Sequence, residues 1–542
     1  MSKGFFNLVL HAHLPYVRHP MYERFLEEMW LFEAISESYL PLLRVFNRLR
    51  DDGVKFRLTM SFSPTLASML TDELLQNRYI KHLEMLLELA EKELARTASD
   101  SRFHPLAQMY KELFTQNMVD FTETYRRNIL KGFRALEKEG FIEIVTTAAT
   151  NAFLPLYENY PEAVEAQVHT AIISHGRIFG CDSPGFWLPD GGYYPGMERH
   201  LRANDIRYFY AAAHALLAAD QKPRSGVYAP LVCPNGVAVF ARDIPSSRAV
   251  WSAADGYPGD FSYREFYRDI GFDLPLDYVG PYIHEEAIRI NTGFKYYAIT
   301  GKSDDKKPYQ PDEARRKAEE HAENFLYNRL KQVKKLSTLM DRPPIIVSPY
   351  DAELFGHWWF EGPQWVEFLL RKLDVAASEG SLTMVTASDY LDRYPDNQVA
   401  QPSFSSWGNK GYAEVWLDGS NDWIYRHIHK AIDRMSELVK RFPDEQGLKR
   451  RVLNQAAREV MLSQASDWPF IMKMGTTVPY ATKRVKEHIY NFNRIYENLS
   501  RNTVNTEWLT GIEKKNNIFP DIDYRIFAKE RTATQTDPLS RQ

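Results

Sequence analysis

Three short stretches carry side chains able to do chemistry. His11 and His13, in the run His11-Ala12-His13-Leu14-Pro15-Tyr16, follow the apolar segment Phe5 to Leu10. Alternate residues of a strand point to one face, so both imidazoles share a side. Histidines so placed can bind a metal or hydrogen-bond a polar substrate, or simply hold a loop. In Gly185-Phe186-Trp187-Leu188-Pro189-Asp190-Gly191-Gly192, one carboxylate sits between an aromatic segment and a flexible turn. A plain turn aspartate has the same pattern. In the run from Ser348 to Pro363, Asp351 ends an apolar segment and His357, Trp358 and Trp359 follow. A carboxyl beside indoles loses hydration and its pKa rises, as a general acid requires. Glu353 and Glu361 compete for that role. Two carboxyls on different strand ends, ringed by aromatics, suit glycosidic bonds: one protonates the leaving oxygen, and the other attacks the sugar carbon or activates water.

The elements that must hold these groups read as an α/β barrel. Short apolar runs, each leading into polar or aromatic residues, are Phe5 to Leu10, Phe56 to Met60, Ile142 to Val145, Phe186 to Leu188, Ile206 to Tyr210, Val237 to Phe240, Ile345 to Val347 and Leu382 to Val385. Such runs suit strands buried on both faces of a parallel sheet. Amphipathic helices are expected at Asp72 to Arg96, Asp120 to Glu139, Pro161 to His175 and Asp312 to Met340. The alternation predicts an incomplete TIM-type barrel over residues 1–395, with its chemistry at the C-terminal strand ends. Beyond a polar connection at 396–407, helices Ile424 to Arg441, Gln446 to Ser466 and Pro479 to Leu499 predict an all-helical domain at 400–528. Residues 529–542 lack apolar periodicity and read as a disordered tail.

Composition bounds the class. At 542 residues the chain is long enough for two or three domains, and a net charge of -4 gives no field favouring nucleic acid or an anionic membrane. No apolar stretch reads as a membrane span, and the first residues read as a buried strand and not a secretory signal. Cys181 and Cys233 match no metal-ligand spacing and no disulfide framework, which points to a reducing, cytoplasmic setting. Aromatics reach 13%, many in turn-like segments, which fits a carbohydrate binder as well as a large aromatic core.

The three stretches together resemble signature regions of glycoside hydrolase family 57. The runs Ser405-Ser406-Trp407-Gly408, Trp416 to Trp423, Gln464-Ala465-Ser466-Asp467-Trp468, and Val250 to Gly271 resemble its 1,4-alpha-glucan branching enzyme group. The resemblance spans roughly residues 5–525. It implies an incomplete seven-stranded barrel, a small insertion near 190–225, a mobile loop near 243–262, and a helical C-terminal domain. It also implies retaining transfer of α-1,4-glucan segments of glycogen or amylose type to 6-hydroxyls, without a metal or other cofactor. By the same resemblance Asp351 is the general acid/base and Asp190 the nucleophile, where the family has Glu. His11, His13, Trp187, His357, Trp358, Trp407, Trp416 and Asp467 fall on the substrate path, and Tyr257 on the mobile loop. Asn151 stands where the branching enzymes usually carry His.

Asp is one methylene shorter than Glu, so its oxygens retreat by up to roughly 1.5 Å. A misplacement of about 1 Å can cost ~100-fold in rate. Retaining pairs stand about 5–5.5 Å apart and inverting pairs start near ~6.5 Å, so the retreat moves the pair towards the border. Two other readings stay open: a degenerate relative that binds α-glucan without turning it over, and a metal-dependent barrel hydrolase using His11, His13, His214 and Asp351.

Overall fold

The computed structural model describes residues 2–252, 255–283, 288–303 and 305–529. Its strands are β1 (Phe5–Ala12), β2 (Leu58–Phe62), β3 (Ile142–Thr147), β4 (Gly185–Trp187), β5 (Tyr208–Ala211), β6 (Leu231–Val232), β7 (Ala238–Ala241), β8 (Ile345–Asp351), β9 (Thr383–Met384) and β10 (Gln398–Val399). Seven run parallel in the order β7-β5-β4-β3-β2-β1-β8. β9 adds to β1 in parallel, β6 lies antiparallel on β7, and β10 pairs with β6. Each apolar run noted in the sequence holds one of these strands. The two-residue β6 and β10 are too short to leave a period.

The alternation of each strand sorts its side chains into two cores. Phe5, Val9, Val145, Trp187, Tyr208, Tyr210, Phe240, Ile345 and Val347 pack inside the curled sheet. Phe6, Leu8 and Leu10 face the surrounding helices. Asn7 lies inside, and its polar atoms are met: Nδ2 donates to Thr59 Oγ1 at 3.1 Å and to Val385 O at 3.0 Å, while Oδ1 accepts from Tyr210 at 2.9 Å. A buried amide left unpaired would cost far more than these bonds return, so the pairing belongs to the fold. The seam between β7 and β8 carries a backbone bond from Asp243 N to Val347 O at 2.9 Å.

Helices follow their local signals. Glu73–Thr97 starts at Asp72, whose side chain caps Leu75 N. Pro161–Phe179 ends at Gly180 with φ 68, a left-handed stop that glycine adopts without strain. The single helix expected at Asp120 to Glu139 is instead broken. A wide turn at Asp120–Thr124 ends the preceding helix His104–Val119, and Leu130–Lys138 starts afresh. Arg126 and Arg127 between them have φ 47 and 68, which no continuous helix allows.

Residues 190–225 hold β5 and two short helices, Glu198–Ala203 and Ala213–Leu217, whereas the longest excursion between neighbouring strands separates β7 from β8 and includes helix Pro311–Leu336. Past β10 the described chain is helical, with Tyr425–Arg441, Gly447–Ser463, Asp467–Met474, Val478–Arg501 and Thr506–Lys515. Among the described residues no helix is long and apolar enough to cross a membrane. The expected disordered tail falls, from residue 530 on, outside the described residues, as do residues 253 and 254 of the expected loop.

Candidate active site

Parallel strands end side by side, so register alone brings several chemical groups together. His11 on β1 is the register partner of Ser61 on β2 and of Asp351 on β8. β4 supplies Trp187 and, three residues on, Asp190. The Trp187 ring stacks on His11 at 4.7 Å and meets Trp407 edge-on at 4.7 Å. His13 stacks beside His11 at 5.7 Å. Arg242, just past β7, places its guanidinium 5.0 Å from the Trp407 ring centre.

Asp190 lies in a short turn with φ 56 and ψ 22. Burial pushes its carboxyl up to about 7; Asp467 and Asp351 add to the rise, while Ser466 and His13 oppose it. Burial pushes Asp351 up to about 6, against the charge of His13. Both carboxyls therefore share one electrostatic neighbourhood. Oδ2 of Asp190 is buried with no hydrogen-bond partner among the described residues.

The two histidines differ. His11 Nδ1 pairs with Ser61 Oγ at 3.2 Å, and burial followed by the charge of His13 lowers its pKa well below the ordinary value, so His11 is neutral. His13 has both ring nitrogens engaged, Nδ1 by Ser63 Oγ at 2.8 Å and Nε2 by Asp467 at 3.0 Å. Burial works against its charged form, but Asp467, Glu353 and Asp190 outweigh that, and its pKa is raised. His13 thus holds a proton more readily than an ordinary imidazole, and it links the strand ends to Asp467 in the helical part of the chain.

The competing glutamates are spoken for. Glu353 accepts the His13 backbone N–H at 3.2 Å and the Tyr39 hydroxyl. Its pKa is pushed to about 7, first by burial and then by Asp351. Glu361 accepts the Arg264 N–H at 3.1 Å and faces Tyr309.

The remaining expected residues are placed at different depths. Trp416 is only 3% exposed, with one face covered by Phe153 at 4.7 Å and 7°. His357 pairs with Glu37 at 2.7 Å, and the 54% exposed Trp358 stacks on Phe266 at 4.7 Å. Tyr257 stacks on His321 at 4.6 Å and donates to Asn324 at 2.8 Å, contacts with the long helix Pro311–Leu336. His214, needed by the metal-hydrolase reading, instead meets the Gly411 carbonyl at 2.8 Å through Nε2. Among the described residues no group of three or more His, Cys, Asp or Glu is arranged to hold a metal ion.

Sequence reasoning did not single out Ser466, Phe153 or Arg242 as site residues. Ser466 stood beside Asp467 in a run already noted, which was the available signal. Phe153 and Arg242 are ordinary loop residues whose role depends on how distant strands meet.

An open β/α barrel with two partly buried carboxyls at its strand ends, met there by a helical domain, is the architecture of a carbohydrate-active barrel protein. The family model of glycosyl hydrolase family 57 matches residues 7–403, and that of the 1,4-alpha-glucan branching enzyme C-terminal region matches 427–527. The chain belongs to glycosyl hydrolase family 57. It is similar to a 1,4-alpha-glucan branching enzyme of Thermococcus kodakarensis, 34% identical over 533 residues, covering 92% of this chain and 74% of that protein. The crystal structure of that enzyme in complex with glucose and additives gives a TM-score of 0.87 at 32% identity, covering 98% of this chain and 97% of the other. The α-amylase AmyC of Thermotoga maritima gives 0.92 at 45% identity, covering 98% and 100%.

Proposed function

We propose that the chain is a branching-type α-glucan transferase acting by a retaining mechanism, with Asp190 as nucleophile and Asp351 as general acid/base. The observation that carries this is the shared setting of the two carboxyls, each raised by burial and both facing the charge of His13. Asp351 protonates the leaving 4-oxygen while Asp190 attacks the sugar carbon. The acceptor hydroxyl then gives its proton back to Asp351 as the covalent bond breaks. The partly exposed Trp407, backed edge-on by the buried Trp187 and by neutral His11, fits a path for sugar rings, whose C–H faces pack on aromatic faces. Asp467, held by His13, offers further polar contact. Residues 1–395 form the barrel part and 400–528 the helical part of this reading. The two free thiols fit the cytoplasm.

The family relatives include proteins described as branching enzymes and one described as an α-amylase, so the acceptor is what an assay must decide. Purified protein is incubated with amylose, and branch points, new reducing ends and iodine colour are measured together. Branch points in excess of new reducing ends are expected. Glucan binding with neither product, in wild type and in Asp190→Glu alike, overturns the proposal in favour of a binding relative.

A further inference from the structure

The helical run from Met29 to Asp51 is interrupted by one wide π turn, Ile35–Tyr39, closed by a bond from Leu40 N–H to Ile35 O. Its cause is in the sequence. Pro41 has no N–H for the Glu37 carbonyl four residues back, and its ring crowds that oxygen. Such bulges gather at functional sites. In a regular helix consecutive side chains do not face one neighbour. Here Glu37, Ser38 and Tyr39 all reach the segment that follows Asp351. His357 Nδ1 pairs with Glu37 Oε2 at 2.7 Å, and His357 N donates to Ser38 Oγ at 3.2 Å. Ser38 Oγ in turn donates to Glu353 O at 3.4 Å, and the Tyr39 hydroxyl donates to Glu353 Oε1. Gly356, with φ 117, lies against the freed Glu37 carbonyl, where a Cβ would stand 1.7 Å from the oxygen. Ser36 is turned the other way, to Tyr79 at 2.8 Å.

We propose that Tyr39, brought there by the π turn, is a positioning residue for Asp351 and acts through Glu353. The inference rests on the reading of Asp351 as general acid/base. Asp351 opens the short turn Ala352–Leu354, but its side chain makes no capping bond to that turn, so the carboxyl lies where the turn is held. Glu353, two residues on, is the tie. Its Oε1 accepts from Tyr39 on one side and from the His13 backbone at 3.2 Å on the other. The second bond reaches the exit of β1, where His11 is the register partner of Asp351. Without the Tyr39 hydroxyl the glutamate keeps only its tie to β1, and the turn that carries the acid can drift. A drift of about 1 Å can cost ~100-fold in rate.

The test separates proton transfer from everything else. With α-maltosyl fluoride as donor and azide as acceptor, fluoride departs without a proton and azide attacks without a base, so neither step uses Asp351. Tyr39→Phe should lower kcat for transfer on amylose about tenfold with KM unchanged, and leave the fluoride–azide reaction within about twofold of wild type. Ser38→Ala should give a smaller loss of the same kind, about threefold. Glu353→Gln keeps an accepting oxygen and should keep most of the transfer; loss of amylose transfer alone in that variant would make Glu353 the acid and overturn the proposal. Asp351→Asn is the reference, with amylose transfer lost and the fluoride–azide reaction kept. If Asp351→Asn behaves so while Tyr39→Phe transfers amylose at the wild-type rate, or loses both reactions alike, the proposal alone falls. Should Tyr39→Phe not fold, Ser38→Ala decides by the same two rates. Undiminished amylose transfer by Asp351→Asn removes the acid/base reading, and this proposal with it.

Discussion

The backbone N–H of Trp407 donates to the carbonyl oxygen of Asp190 at 2.7 Å. The bond ties the left-handed turn of Asp190 to a residue beyond the barrel strands, and the Trp407 ring closes over Gly191. A Cβ at Gly191 would stand 2.4 Å from Trp407 Cδ1, and Gly191 itself has φ 62. Gly191→Ala should therefore push Trp407 off the turn. A loss of about 1–3 kcal/mol in stability is expected from overpacking, with a changed tryptophan fluorescence and lost transfer. Wild-type melting and fluorescence would show that the turn tolerates the methyl group.

Asp190 should cost the protein stability. Its folded pKa of about 7 lies above the ordinary aspartate value, so the folded state holds a proton that the unfolded state releases. The stability gained from that bound proton is fully present below the ordinary value and is lost as pH rises through about 7, above which the charged group is the cost. Asp190→Asn cannot ionise. It should melt near the wild-type temperature at acid pH and above it in mildly alkaline solution. Equal melting temperatures at both ends of the range would mean that the carboxyl is well solvated.

The same two carboxyls set the rate profile. Turnover needs Asp190 ionised, at about 7, and Asp351 protonated, at about 6. Because the nucleophile titrates above the acid, the competent form is a minority and the bell is narrow, peaking between the two values. The measured limbs belong to the coupled pair, not to either residue. A broad plateau extending well above and below this window would contradict the assignment.

Most of the barrel could be read from the sequence because a strand buried on both faces must be apolar throughout. The strand ends then named His11, Asp190 and Asp351 without any three-dimensional knowledge. Register did the rest, placing His11 beside Asp351. What stayed hidden depends on contacts between segments far apart in the chain. The break at Arg126 and Arg127 carries no Gly or Pro to mark it. The link from Asn151 to Ser466 crosses 315 positions and leaves no periodic trace. Exposure was equally illegible: Trp407 and Trp416 are indoles in similar loops, yet Phe153 covers only the second.

That difference separates their mutants. Trp407 is partly exposed above Asp190, so Trp407→Ala should raise KM for amylose and lower oligosaccharide affinity in calorimetry. Trp416 packs with Phe153, Ala413 and Val415. Trp416→Ala should cost about 3–5 kcal/mol as a core truncation, read by denaturant unfolding. A Trp416→Ala protein of unchanged stability and weakened glucan binding would instead mark Trp416 as part of the sugar path.

The shortened carboxylate gives the most direct test. Asp190→Glu returns the methylene, and the new oxygens advance by up to roughly 1.5 Å towards the sugar carbon. The free Oδ2 shows that no protein donor among the described residues has to be abandoned at that end. If geometry alone limits the rate, transfer on amylose should rise ~10- to 100-fold, about 1.4 kcal/mol of barrier for each tenfold. Asp351→Asn in either background should abolish transfer, because Glu353 is held by Tyr39 and the His13 backbone and cannot replace the acid. Trapping a glycosyl-enzyme with a slow fluoride substrate, followed by peptide mass analysis, would locate the covalent bond on residue 190. An unchanged or lower rate in Asp190→Glu, with glucan binding intact, would mean that the site has adapted to the short side chain.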